Sequence, residues 1–349
     1  MNEGFQRNIV EFAGWRRGGI PTADTLKEDY LFGLSLTDGN GNIYPDKAIE
    51  RWLEKACAWL EYELDVTLKA TVISEDHDYH ADEYQQFCYI NLYRFPVLSV
   101  DSLYASYGGM KIMDFPSDWY RVYPESGQLQ LVPTVGSLSA LLLQQGGDLL
   151  LPLITGALSQ MPHLFQVSYT IGFGNLVNDD VAAQGGSVTS VVLGESASSV
   201  DNAYKGMRIV FWNGGTVWTA GDPVYPASVD ILAYDGATKT ATLSMDTPLA
   251  AVPDGSKYRI YAGGLDESLR DMIATKASID ILRVLGDVLY APGVASQSFS
   301  LDGISQSFSV TRSADGGAYS GRIKQYLQKI NDDLPLLKKR YQGFRLNVA

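Results

Sequence analysis

Helical and strand-like periodicities alternate along this 349-residue chain, and their order constrains the fold more than any single motif. In residues 49–64 apolar side chains recur every three to four positions, which predicts an amphipathic helix. The period becomes two in short runs across residues 87–171, bounded by proline and glycine, which predicts short strands. A second helical pattern occupies residues 266–289. Because the chain leaves helical packing and returns to it, we expect an α+β fold in which a helical core carries a small antiparallel sheet.

Residues 185–261 differ from their surroundings in composition. They hold only 12 charged side chains, many Thr, Val and Tyr residues, and turn signals at Asn213-Gly214, Asp235-Gly236 and Asp254-Gly255. Turn signals without a helical stripe predict a compact all-β domain, a small barrel or sandwich, inserted into the core. The predicted organisation is an N-terminal arm at 1–24, a discontinuous core at 25–184 and 263–318, the inserted β-domain at 185–262 and a C-terminal helix and tail at 319–349.

The charge balance limits the partners of the protein. Forty acidic against 27 basic side chains give a net charge of −13, which disfavours tight binding of nucleic acid, so only transient contact with passing DNA is expected. Two cysteines make no disulfide framework and favour a reducing compartment. The first residues lack the apolar core of a secretory signal, so we expect synthesis in the cytoplasm.

The most apolar segment, residues 137–158, contains nine leucines and a single charge, Asp148. Gly146, Gly147 and Pro152 divide it into pieces shorter than the ~20 residues of a membrane helix, so no membrane span is expected. A folded protein rarely leaves such an apolar segment exposed to water, so we expect a partner or a second copy of the chain to bury it. The leucines assigned to contacts between subunits are Leu141, Leu142, Leu143, Leu149, Leu150 and Leu151.

The C-terminal segment, residues 319–349, reverses the charge of the remainder, with seven basic and two acidic side chains. Its apolar positions follow helical spacing, and Pro335 is expected to kink or divide the helix. A basic-tipped amphipathic helix suits an acidic groove on another protein, but basic residues in a last turn also follow from the helix dipole, and both interpretations stay open. The residues assigned to partner binding are Ile323, Leu327, Ile330, Leu334, Leu337, Lys338, Lys339, Arg340, Tyr341 and Arg345.

The sequence carries no recognisable enzyme motif. A nucleophile elbow, a metalloprotease helix, a phosphate loop and a calcium loop are all missing from it. The best metal-like cluster is the run 75–80, where His77 and His80 stand among acidic residues, but a solvated acidic loop is the favoured interpretation. With three histidines in the chain, much enzyme chemistry lacks its usual proton carrier. We therefore expect a protein that is not an enzyme, with no catalytic residue, cofactor or metal site.

Several segments, taken in order, resemble the head-to-tail adaptor (connector) proteins of tailed bacteriophages. The resemblance spans residues 25–180 and 264–345 and depends on co-occurrence in order rather than on one motif. Residues 202–207 and 234–241 look like parts of a small β-domain that recurs in phage virion proteins. The adaptor-like segments are 33–43 (GLSLTDGNGNI), 61–68 (EYELDVTL), 93–100 (YRFPVLSV), 295–307 (ASQSFSLDGISQS), 317–324 (GAYSGRIK) and 340–343 (RYQG).

The resemblance implies a structural role in the virion neck, at the head–tail junction. Adaptors of this family form a ring, usually of twelve copies, which binds beneath the portal and extends the DNA channel towards the tail. The implied partners are further copies of the chain, the portal protein through the C-terminal segment, and tail or nozzle proteins. The alternative is a receptor-binding or glycan-degrading virion protein, in which Trp212 and Trp218 of the inserted β-domain form a sugar platform, although tryptophans at this spacing more often lie in a β core.

Overall fold

A computed structural model divides the chain into two compact units. One unit, here the β unit, spans Val66–Gly264, and the other, here the helical unit, is built from residues 19–65 and 265–341. The unit boundaries fall at 65/66 and 264/265, whereas the sequence patterns place the inserted domain at 185–262. The residues described are 19–34, 36–37, 43–80, 89–107, 110–131, 160–182, 184–187, 189–213, 227–244, 255–290, 296–301, 304–309 and 319–341.

The described part of the helical unit contains three long helices, α1 (Asp46–Leu64), α2 (Glu267–Tyr290) and α3 (Ser320–Tyr341). The helix predicted from the apolar spacing at 49–64 is confirmed by α1, because the residues of that stripe are its buried ones. Asp65 ends α1 in the left-handed conformation, with a φ of 52°. The buried residues of α1 are Ile49, Leu53, Ala56, Cys57, Leu60 and Leu64.

Two shorter features complete this unit. A helical turn at Ala23–Thr25, capped by the side chain of Thr22, leads into a π-helical turn at Leu26–Tyr30. A hairpin of two strands, β15 (Ser296–Leu301) and β16 (Ile304–Ser309), confirms the hairpin indicated by the Asp-Gly centre of the sequence.

Helix α2 is buried on more than one face and forms the centre of the helical unit. It packs against α1, α3 and the π-helical turn. Neighbouring residues such as Ile273 and Ala274, or Ile281 and Leu282, are both buried although successive helical residues point about 100° apart. The helix that follows the β unit therefore completes a core begun before that unit.

Helix α3 continues through Pro335, so the helix is not divided at that residue, which corrects that part of the expectation. Proline removes one backbone donor and displaces the carbonyl of Asn331 one turn earlier. Pro335 and Asn331 are both exposed, so water can satisfy the groups that the ring leaves unpaired. The helix tolerates the proline because it lies on the solvent side.

In its described residues, the β unit forms three antiparallel sheets. Its strands in chain order are β1 (Thr71–His80), β2 (Tyr89–Asn91), β3 (Val97–Tyr107), β4 (Met110–Asp114), β5 (Tyr120–Tyr123), β6 (Gln128–Leu131), β7 (Gln160–Ile171), β8 (Gly174–Val181), β9 (Gln184–Ser187), β10 (Ser190–Val192), β11 (Arg208–Asn213), β12 (Ala227–Asp235), β13 (Thr240–Leu243) and β14 (Lys257–Gly263). The sheets have the strand orders β1-β7-β3-β4, β2-β6-β5 and β8-β14-β11-β12-β13-β10-β9. A single-turn 3₁₀-helix at Ser117–Trp119 precedes β5.

This architecture corrects the expected fold class. The expectation of an α+β fold with a helical core and one small antiparallel sheet is wrong, because the described strands form several sheets and hold more residues than the described helices. One cause is β1, where acidic residues hide a strand that buries Val72, His77 and Tyr79. Another is β8, which joins the seven-stranded sheet although it precedes the turn-rich region.

The chain enters the β unit by passing against the end of β7. Phe173 donates its backbone N–H to the carbonyl of Leu68, at 3.1 Å, and forms a parallel bridge with Lys69. At Gly172, with a φ of 112°, a Cβ atom would lie 2.4 Å from the carbonyl oxygen of Lys69. Only glycine fits both this backbone conformation and this approach.

The chain leaves the β unit at the same place. Gly263, the last residue of β14, pairs with Gly174, the first of β8. A Cβ atom on Gly264 would lie 2.9 Å from the backbone nitrogen of Gly174. Entry and exit of the β unit are therefore closed around residues 172–174, which we call the glycine crossing.

Arg259 joins the seven-stranded sheet to the four-stranded sheet. From β14 its guanidinium pairs with Asp101 of β3 and donates to Ser99, at 2.8 Å, and to Asp179 of β8, at 3.1 Å. The Asp101 side chain is 1% exposed, and Thr170 also donates to it. Burial raises the pKa of Asp101, and the Arg259 charge opposes that shift. The carboxylate thus depends on its bonded partners to remain buried.

A second arginine and an apolar cluster reinforce this junction. Arg208 of β11 donates to the carbonyl of Ala70, at 2.6 Å, and to Asp230, at 2.9 Å. A buried cluster spans both sheets and consists of Ala70, Val72, Val210 and Tyr261. The seven-stranded sheet is therefore fixed to the four-stranded sheet by buried contacts as well as by the chain connections between them.

Substitution Gly172→Ala should destabilise the protein by about 3 kcal/mol or more, since a strained φ and a backbone overlap act together. Gly255→Ala is the matched control, because Gly255 also has a positive φ, 72°, with no atom within 4 Å of a new Cβ. That control should cost about 1 kcal/mol. Urea unfolding measures both values, and equal costs would contradict the close approach.

Arg259→Met should destabilise the protein by about 3–5 kcal/mol, because it leaves Asp101 buried and unpaired. The double variant Arg259→Met/Asp101→Asn should recover a substantial part of that loss. A thermodynamic double-mutant cycle measures the coupling. Additive effects of the two substitutions would show that the pair does not hold the sheets together.

Candidate functional site

Helix α3 carries most of the residues assigned to partner binding, and the structure places its apolar stripe inside the helical unit. Ile323, Ile330 and Leu337 are buried, and Leu327 and Leu334 are half-buried. The helix packs against α1 and α2. In this conformation the stripe stabilises the subunit itself.

The basic end of α3 also bonds within the helical unit. Lys338 pairs with Glu63 of α1, and Arg340 pairs with Asp266, each at 2.6 Å. The Tyr341 hydroxyl donates to Asp266 at 3.1 Å. Burial alone would raise the pKa of Asp266, but the Tyr341 hydrogen bond and the Arg340 charge outweigh it and lower that pKa. Three of the assigned basic and tyrosine residues are thus held by carboxylates of the same chain.

A third polar contact fixes the middle of α3. Lys329 pairs with Asp271 of α2 at 2.6 Å, and the same carboxylate accepts a hydrogen bond of 2.6 Å from Tyr30. Burial and the Asp271 hydrogen bond raise the pKa of Tyr30, so this phenol stays protonated. Tyr326 donates to the carbonyl of Tyr30 at 2.9 Å. Helix α3 is therefore tied to the π-helical turn and to α2.

The opposite side of α3 is exposed. Five residues, spaced four, four, four and three positions apart, form a continuous stripe along this side, which we call the outer face. Leu336 is 67% exposed, which is high for a leucine. The residues of the outer face are Lys324, Gln328, Asp332, Leu336 and Lys339. Of the assigned residues, Lys339 lies on this face, and Arg345 lies outside the described residues.

The leucines assigned to contacts between subunits, Leu141–Leu143 and Leu149–Leu151, lie outside the described residues, in the segment 132–159 between β6 and β7. Their burial between copies stays a prediction.

The acidic run 75–80 belongs to strand β1, which corrects the interpretation of this run as a solvated loop. His77 is 6% exposed, its Nε2 lies 3.2 Å from Glu75, and its ring packs on Tyr93 with the ring centroids 4.6 Å apart. In the described part of the chain, no group of three His, Cys, Asp or Glu residues is placed to hold a metal ion. A cavity of about 250 Å³ adjoins these residues and is lined by His77, Asp78, Tyr79, His80, Tyr89, Ile90, Asn91, Tyr93 and Phe165.

Glu75 is the acceptor at the centre of this cluster. It takes hydrogen bonds from the backbone of Tyr93, at 3.0 Å, and from the side chains of His77 and Tyr169. Burial would raise the pKa of Glu75, but these hydrogen bonds outweigh it and lower that pKa. The arrangement orders β1 against β7 and the segment after β2. Nothing in the spacing of residues 75, 93 and 169 signals it in the sequence.

Trp212, one of the two tryptophans of the alternative sugar platform, contacts two basic side chains of β14. Arg259 and Lys257 lie over its ring, 4.6 and 5.0 Å from the centroid, and the ring packs on the cluster between the sheets. Trp218 lies outside the described residues. Trp212 therefore contributes to the junction of the sheets.

Glu75→Gln should lower the free energy of unfolding at pH 7 by about 1–3 kcal/mol, because the buried donors lose a charged acceptor. A carboxylate with a lowered pKa stabilises the fold above its unfolded pKa, about 4.3, and that stability is lost as the pH falls through the folded pKa. The difference between wild type and variant should therefore shrink below about pH 4. Urea unfolding across this range, with the exposed Asp118→Asn as control, tests it; a pH-independent difference would contradict it.

Comparison with known proteins gives little beyond these residues. No protein-family model and no curated protein matches the sequence. In the part of the chain that the structure describes, no helix is both long and apolar enough to cross a membrane. Among solved structures, a similar chain is described as "Neck of empty GTA particle computed with C6 symmetry"; the similarity covers 45% of this chain and 68% of that chain, with 14% sequence identity and a TM-score of 0.27. Similarity at this level carries no argument about function, which must be argued from the residues themselves.

Proposed function

We propose that this protein is a structural component of the neck of a tailed-phage particle, a head-to-tail adaptor that forms a ring beneath the portal and extends the DNA channel. The observation that supports it most is the meeting of adaptor-like segments from both ends of the chain. Glu63, in the segment 61–68, pairs with Lys338, just before the segment 340–343, and Arg322, in the segment 317–324, donates to the carbonyl of Phe32, just before the segment 33–43. These contacts form within one unit although the whole β unit separates the segments in sequence.

The net negative charge of the β unit supports a role in lining a channel through which DNA passes. Residues 66–264 contain 19 acidic and 9 basic side chains, a net charge of −10. Phosphates are repelled from such a surface, so DNA passes it with little binding and without the counterion release that holds DNA on basic proteins. The proposed role is therefore passive guidance of DNA by an acidic body.

Portal attachment is proposed to use the outer face of α3 and the tail that follows it. The buried stripe and the paired Lys338 and Arg340 already hold the subunit together. Leu336 offers exposed apolar area, and Lys324 and Lys339 offer charge. Apolar burial would set the lifetime of the complex, and the two lysines would steer encounter with acidic portal side chains. The leucine segment 137–158 is proposed to bury its side chains against the neighbouring copy.

Binding to portal rings from the same particle tests this proposal. Leu336→Gln/Lys339→Gln should weaken binding about tenfold or more, since the loss of one buried leucine alone is worth about 1.5–3 kcal/mol. The matched control is Arg51→Gln/Tyr62→Gln, which removes one basic and one large exposed side chain from α1. Biolayer interferometry at two salt concentrations measures affinity and its electrostatic part.

The control should bind as wild type does. Wild-type protein that fails to bind portal rings would overturn the adaptor role. Unchanged affinity in the outer-face variant would overturn the assignment of that face and leave attachment to other residues.

A further inference from the structure

Within the described part of the chain, no other strand pairs with either long edge of the hairpin of β15 and β16. Among the described residues these two strands pair only with each other, in a two-stranded sheet. An isolated two-stranded hairpin is at best marginally stable in water and needs a further strand or a packed face. A hairpin of this kind is therefore suited to pairing with a strand from outside its own subunit.

The pairing register shows which backbone groups face outwards. Leu301 pairs with Ile304, and only two residues separate them, so this pair exchanges both of its N–H···O bonds. Hydrogen-bonded and non-bonded pairs then alternate away from the turn. The non-bonded pairs direct their N–H and C=O groups to the free edges, and all of them are serine pairs: Ser300–Ser305, Ser298–Ser307 and Ser296–Ser309.

The two edges carry the same sequence. Residues 296–300 and 305–309 both read SQSFS, so a serine supplies every outward-facing N–H on either strand. Neither strand contains a charged residue or a proline, the residues with which proteins usually block an exposed edge. The edges thus match each other in sequence and are unguarded, which favours a second copy of this chain as the occupant.

We propose that β16 of one copy pairs antiparallel with β15 of the next, so that the hairpins of successive copies form one continuous sheet. Joining the β16 edge of one copy to the β15 edge of the next is a head-to-tail contact, which propagates and closes into a ring when the rotation per copy allows. Serine at every second position keeps the serine-to-serine pairing through register shifts of two residues, which a closed sheet needs for its stagger. This pairing rests on the proposed function for one point only, namely that the copies form a closed ring.

Single proline substitutions at the outward positions test the pairing. Ser298→Pro removes an outward N–H from β15, and Ser307→Pro removes one from β16, while the bonds within the hairpin remain. Each variant alone should associate only at concentrations about tenfold or more above those that wild type needs. The reason is that every contact between copies joins a β16 edge to a β15 edge, and each variant has one of the two blocked. An equimolar mixture of the two should form heterodimers that grow no further, since the intact β16 of one variant meets the intact β15 of the other.

Native mass spectrometry over a concentration series reads the masses directly. Ser298→Thr and Ser307→Thr are the controls, because threonine keeps the N–H and favours strands, and both should assemble as wild type does. Ser298→Lys/Ser307→Lys blocks the edges without changing the backbone and should behave as the single prolines do. Thermal unfolding confirms that each variant stays folded.

Several outcomes would overturn the pairing: wild-type protein that stays monomeric throughout, proline variants that assemble as wild type does, or a mixture with no heterodimer. These outcomes are separable from the neck role. Assembly through the hairpins by a protein that does not bind portal rings would leave the pairing in place and overturn the adaptor role.

Discussion

The glycine crossing is the constraint on which the rest of the structure depends. The chain enters the β unit at Leu68 and Lys69 and leaves it at Gly263 and Gly264, and both passages lie against residues 172–174. Side chains at Gly172 or Gly264 would hold these passages apart. Because they meet, the two ends of a long β segment emerge together, and α1 and α2 can belong to one helical core although the β unit separates them in sequence. The contacts of Arg259 and Arg208 then fix the remaining sheet to the same centre.

The two sides of helix α3 have different roles. One side of α3 buries an apolar stripe, worth about 1.5–3 kcal/mol for each fully buried aliphatic side chain, and its basic residues pair with Glu63, Asp266 and Asp271. The other side is exposed and ends with Leu336 and Lys339. Removing the stripe to dock on another protein would expose the core of the subunit. Recognition through the outer face has no such cost, and for this reason the proposed attachment uses that face.

Local patterns in the sequence predict local structure well here and distant contacts poorly. The spacing in α1 predicts both the helix and its buried residues, and the SQSFS repeat around Asp-Gly predicts the hairpin. The stripe of α3 is also visible, but nothing in it says that the surface it meets belongs to the same chain. Strand β1 is hidden by its acidic residues, so the fold class expected from the sequence is wrong. Arg259 meets Asp101 across 158 residues, and Glu75 meets Tyr169 across the sheet, contacts that only the folded register creates.

An acidic β unit, a helical unit closed around α2 and a hairpin with two matching edges lead us to one expectation about assembly. We expect copies of this chain to surround the DNA path at the head–tail junction. A symmetric cryo-EM reconstruction of that junction, from particles that carry the protein, tests the claim most directly. The account predicts a ring of copies beneath the portal, with the hairpins of neighbouring copies joined in one sheet. Density for this chain only at the distal end of the tail, as trimers, would contradict it.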